Sequence, residues 1–65
     1  MKRKVLIRHL EKNGCAFRRE GGNHTVFKNL ANGRMAAVPR HTEIKENLAK
    51  KICDDLGVPR AVLNQ

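Results

Sequence analysis

Three histidines, His9, His24 and His41, carry the side chain whose ordinary pKa, about 6.5, lets it give and take protons near neutrality. Of these, His24 has neighbours suited to chemistry: it follows Gly21-Gly22-Asn23, with Glu20, Arg18 and Lys28 close by in the chain. RNA supplies its own nucleophile, the 2′-hydroxyl. A base that removes that proton beside a phosphate held by Arg or Lys cleaves the strand without metal and leaves a cyclic phosphate. On spacing alone, His24 fits an ordinary solvent-facing strand residue as well. His41, just after Pro39, reads as a residue hydrogen-bonded to a nearby carbonyl, and His9, on the flank of a helix, as half-buried packing. Cys15 and Cys53 are too few for a disulfide framework and lie too far apart in sequence for the paired spacing of a zinc site, so both read as small buried hydrophobes. Two phenylalanines with no Trp or Tyr cannot form an aromatic stacking platform for single strands, and Gly21-Gly22 lacks the other positions of a phosphate-binding glycine loop. No metal and no small-molecule cofactor is expected.

The elements that must hold these residues follow from periodicity. From Arg3 to Asn13, Leu6, Ile7 and Leu10 form one apolar stripe, with Val5 on its shoulder and Lys4, Arg8 and Lys12 opposite, which predicts an amphipathic helix stopped at Gly14. No good N-cap precedes it, so its start is expected to fray. Residues 15–20 and 24–29 read as strands joined by Gly21-Gly22-Asn23, and Met35-Ala36-Ala37-Val38, after the turn-forming Asn32-Gly33, as a third strand ended by Pro39. Residues 43–56 return to helix: Ile44, Leu48, Ile52 and Leu56 recur every fourth position, Thr42 serves as N-cap, Glu43 and Glu46 suit the first turn, and Gly57 and Pro59 end it. Asp54 and Asp55 oppose the dipole at its end with no evident reason. The fold class is α+β, in the order α-β-β-β-α, with both helices on one face of a three-stranded antiparallel sheet. Double-stranded-RNA-binding domains use this layout. A three-residue hairpin loop would set Glu20 across from His24, Arg18 from Val26 and Ala16 from Lys28. Cys15, Phe17, Thr25 and Phe27 would then face the core, with Phe17 against Phe27, leaving Arg18, Glu20, His24, Val26 and Lys28 on the open face.

Composition narrows the class of partner. Sixty-five residues make a single domain, 1–65, with 58–65 as a tail in which Val62 and Leu63 could dock or meet a partner. The longest apolar run near the start is Val5-Leu6-Ile7, so no membrane span or signal peptide is expected, and the chain reads as soluble and cytoplasmic. Net charge is +8, all of it in residues 1–41, where ten basic residues face two acidic ones. With a pI near 10.4, that is the footprint of a polyanion binder, nucleic acid above all, or else of a solvated basic surface that aids solubility.

The order Leu10-Glu11-Lys12-Asn13-Gly14, Gly22-Asn23-His24, Asn32-Gly33-Arg34, Val38-Pro39-x-His41, Glu43-Ile44-Lys45-x-x-Leu48 and Leu56-Gly57-Val58 resembles the HicA family of toxin mRNA interferases over about residues 2–58. The resemblance implies a fold like that of double-stranded-RNA-binding domains and metal-free cleavage of mRNA by the histidine of a hairpin motif. It also implies silencing by an acidic HicB-like antitoxin. By position that histidine is His24, the general base. Glu20 would orient it, and Arg18, Lys28, Gly22, Asn23, Arg40 and His41 would contact RNA. Asn23 stands where the family commonly has serine, and Thr25 where a second histidine is frequent. Two other readings remain open on the residues: a non-catalytic RNA-binding module of the same fold, and a small protein-interaction domain whose basic surface meets an acidic partner.

Overall fold

A computed structural model describes residues 1–61. Helix α1 (Arg3–Lys12) is followed by strands β1 (Cys15–Gly21), β2 (His24–Asn29) and β3 (Met35–Pro39) and by helix α2 (Glu46–Leu56). The strands form one antiparallel sheet in the order β1-β2-β3. Residues alternate along β2 and β3: Thr25, Phe27, Asn29, Ala36 and Val38 are buried, whereas His24, Met35 and Ala37 are exposed. Phe27, Ala36 and Val38 of this set join Leu6 and Leu10 of α1 and Ala49, Ile52, Cys53 and Leu56 of α2 in one cluster, so both helices cover the same face of the sheet, as the two apolar stripes require. No helix among the described residues is long and apolar enough to cross a membrane. Val62 and Leu63 lie outside the described residues.

The chain start is fastened rather than frayed. Lys2 and Glu43 form an isolated antiparallel bridge, in which the Arg3 amide donates to the Thr42 carbonyl at 2.8 Å and the Ile44 amide to the Met1 carbonyl at 2.8 Å. The same bridge displaces the expected start of α2. Thr42 and Glu43 are occupied in extended pairing, Lys45 becomes the N-cap without a side-chain bond, and the helix begins at Glu46. Ile44 keeps the burial its periodicity promised, from outside the helix. At the other end Gly57, at φ 73°, closes α2 with the Val58 amide bonded to the Cys53 carbonyl at 3.0 Å. Asp54 and Asp55, unexplained in sequence, hold Arg60 and Lys51 in ion pairs at 2.8 and 2.9 Å. His9 is half-buried, and its Nε2 lies 2.6 Å from the Pro59 carbonyl, tying the chain after α2 back to α1. Both cysteines are buried and free, and burial pushes both thiols up, which suits packing rather than nucleophilic work.

Candidate active site

The hairpin that carries His24 differs from the expected one by a single residue, and the difference re-sorts the site. The loop is Gly22-Asn23 alone: Gly22 takes φ 60°, Asn23 keeps a negative φ, and Gly21 belongs to β1. Cys15, Ala16 and Phe17 pair with Asn29, Lys28 and Phe27; the ladder then slips, so that Arg19 pairs with Val26, Glu20 with Thr25 and Gly21 with His24. Arg18 is the extra residue, a β-bulge with no partner on β2. Phe17 does stand opposite Phe27, yet it is 58% exposed against 3% for Phe27, on an edge strand where Phe27 is central.

Glu20 therefore does not stand across from His24. Its carboxylate accepts from the Thr25 hydroxyl, at 3.1 Å to Oε2, and from Arg40, whose Nε lies 3.0 Å from Oε1 and whose Nη2 closes the ion pair. The Arg40 guanidinium bonded to it, then the Thr25 hydroxyl, hold the carboxyl below its ordinary range. Thr25 in turn accepts from Arg3 Nη2 at 2.8 Å, and Arg3 Nε donates to the Pro39 carbonyl at 2.8 Å. A polar chain, Arg3–Thr25–Glu20–Arg40, thus braces the hairpin end of the sheet. Sequence reasoning missed Arg3 and Thr25 in this role, since nothing local links the first turn of α1 to β2. The Arg40 amide completes the brace by donating to the Asn23 carbonyl at 3.2 Å.

Register and burial together define the open face. Arg19, His24, Val26, Lys28, Met35 and Ala37 point away from the helices, and His24 and Arg19 are exposed. His24 ends β2 opposite Gly21 on one side and Pro39 on the other, and among the described residues its ring makes no hydrogen bond. The open face carries one imidazole and two cations, with no carboxylate. Lys28 shares it, Arg18 lies at its margin in the bulge, and Gly22 and Asn23 form its rim. His41 lies past β3, lining a shallow apolar groove with Pro39, Ile44 and Leu48. Arg19, which the sequence reading passed over, occupies the position expected for Arg18. No group of three or more metal-ligating side chains comes together among the described residues.

A small basic α+β domain with a lone histidine at the hairpin of an otherwise cationic sheet face is the class that these features define. Residues 3–58 match the family model described as HicA toxin of bacterial toxin-antitoxin, and the chain belongs to that family. No curated protein and no solved structure matches it.

Proposed function

We propose that this HicA-family chain is a metal-independent endoribonuclease that cleaves mRNA in the cytoplasm as the toxin of its pair, with His24 as the general base. The observation that supports this best is the exposed imidazole at the hairpin end of a face that offers cations for phosphate and no competing carboxylate. His24 would take the 2′-hydroxyl proton, while Lys28, Arg18, the Gly22-Asn23 backbone and Arg40 hold the strand. Arg40 is poised for such a task by its bond to Glu20, so Glu20 acts on the site through Arg40 rather than through the imidazole. His41 would contact RNA beyond the end of β3. The implied antitoxin is an acidic, HicB-like protein that covers His24.

His24→Ala is expected to abolish cleavage of a transcribed mRNA and growth arrest, while circular dichroism and thermal melting stay near the parent's, because an exposed strand-end histidine contributes within about 0.5 kcal/mol to stability. EDTA is expected to leave the rate unchanged. Cleavage at the parent rate by His24→Ala would sink the assignment. One observation favours the non-catalytic RNA-binding reading: among the described residues no side chain bonds the His24 ring to fix its tautomer. Binding without cleavage by the parent chain would establish it.

A further inference from the structure

The bulge leaves two adjacent arginines in unlike positions, and only one of them is aimed at the histidine. Arg19 pairs with Val26 on the open face, two residues along the strand from Gly21, the residue directly opposite His24. A Cβ built on Gly21 would lie 3.1 Å from Arg19 Nη1. The guanidinium therefore folds into the slot that a side chain opposite His24 would otherwise fill. Directly opposed Cβ positions in such a pair are about 4.5–5.5 Å apart, so a phosphodiester bound at the imidazole would come within reach of a guanidinium in that slot. Arg19 makes no ion pair or hydrogen bond among the described residues, and the neighbouring carboxylate, Glu20, is taken by Arg40 and Thr25. Its planar fork of donors is unspent.

We infer that Arg19 holds the scissile phosphate of the RNA and carries the charge that develops on it, and that the missing side chain of Gly21 makes room for it to do so. The inference rests on the proposed ribonuclease reading and names a second catalytic residue for it. In the step, His24 accepts the proton of the 2′-hydroxyl and the 2′ oxygen forms a bond to phosphorus. The bond from phosphorus to the 5′ oxygen breaks, and that oxygen leaves as a hydroxyl after taking a proton from water. The products are a 2′,3′-cyclic phosphate and a 5′-hydroxyl, and His24 returns its proton to solvent. Arg19 stays charged throughout, two of its N–H groups bonded to the non-bridging oxygens, where negative charge builds up in the transition state.

Single-turnover cleavage and equilibrium binding of one transcribed mRNA test this, with melting curves for every variant. Arg19→Ala is expected to lower the cleavage rate by about 10²–10³-fold, the size of loss typical when one donor to a developing oxyanion is removed, with binding weakened far less. Arg19→Lys should recover part of the rate, since a lysine keeps the charge and loses the fork. Gly21→Val removes no charge but fills the slot, and a loss of tenfold or more is expected. Gly21 lies in β1 and is not among the glycines with positive φ, so the backbone tolerates a side chain. Arg18→Ala should cost much less in rate than Arg19→Ala, and Lys50→Ala, remote on α2, nothing. If His24→Ala is inactive while Arg19→Ala and Gly21→Val cleave like the parent, the arginine assignment is overturned and the histidine stands. If His24→Ala itself cleaves, the ribonuclease mechanism and this inference fall together.

Discussion

At the scale of single residues, Glu20 is the instructive case. Its depressed carboxyl pKa, caused first by Arg40 and then by Thr25, ties the hairpin to acid stability. Because the folded-state value lies below the ordinary 4.5, the ionised pair stabilises the fold fully above that pH. The contribution fades as pH falls from there through the folded value. Glu43 and Asp54 act in the same sense, through Lys2 and Arg60. Glu20→Gln is therefore expected to melt at a temperature that varies less between pH 5 and pH 3 than the parent's, with the difference between the two proteins shrinking toward the acid end. An unchanged acid limb would show that the Arg40 pair is spent against solvent. How far such a residue can be read from sequence depends on register. Strand alternation places Thr25 and Phe27 inward and His24 outward correctly, because those residues sit on the regular part of the ladder. It misplaces Glu20 and Arg18, because period-two patterning carries no mark for a bulge at one of two adjacent exposed arginines: neither has a burial preference to betray the slip.

At the scale of elements, the helix ends show what local sequence does and does not specify. The end of α2 was legible in Gly57, whose φ of 73° only glycine adopts without cost. Its beginning was not, because Thr42 and Glu43 look like a cap and first turn until Lys2, some forty positions away, pairs with them. The periodicity of Ile44, Leu48, Ile52 and Leu56 helped to mislead, since a buried residue just before a helix can keep the helix's phase. Around Gly57 the packing is close: a Cβ there would meet Asn32 Nδ2 at 2.8 Å and Arg34 Nη1 at 3.2 Å, and Asn32 and Asn29 both donate to the Leu56 carbonyl. Gly14, at φ 86°, has nothing within 4 Å of its missing Cβ. Gly14→Ala should therefore cost only the backbone strain of a left-handed residue, about 1–2 kcal/mol. Gly57→Ala should cost clearly more, because Asn32, which bonds the last carbonyl of α2, must move. Urea unfolding of the pair measures the difference, and equal losses would show that Asn32 yields freely.

At the scale of the whole molecule, the charge is divided between groups that are paired and groups that are not. Glu20, Glu43, Asp54 and Asp55 all have ion-pair partners, whereas Lys4, Arg8, Lys12, Arg18, Arg19 and Lys28 have none among the described residues. These six cations belong to α1, β1 and β2, whereas the paired Lys51 and Arg60 lie in or after α2, so the positive excess of the first two thirds of the chain is left largely unneutralised by ion pairs. A toxin of a toxin-antitoxin pair has an antitoxin, and unneutralised positive charge would steer an acidic one toward it. The association rate with such a partner is expected to fall steeply between 50 mM and 500 mM salt while the dissociation rate changes little, because exposed charges act mainly on encounter. Stopped-flow mixing at several salt concentrations decides it: a salt-independent association rate would mean that the partner reads shape alone.

The bulge also bears on how relatives of this chain are compared. Deleting Arg18 and deleting Arg19 give one and the same sequence, and the arginine that remains falls opposite Val26, where the ladder runs on unbroken. A relative shorter by one residue here thus keeps the arginine beside its histidine, however the gap is drawn. A relative of equal length with alanine in the second position has lost it, although by residue counts the two chains are equally distant from this one.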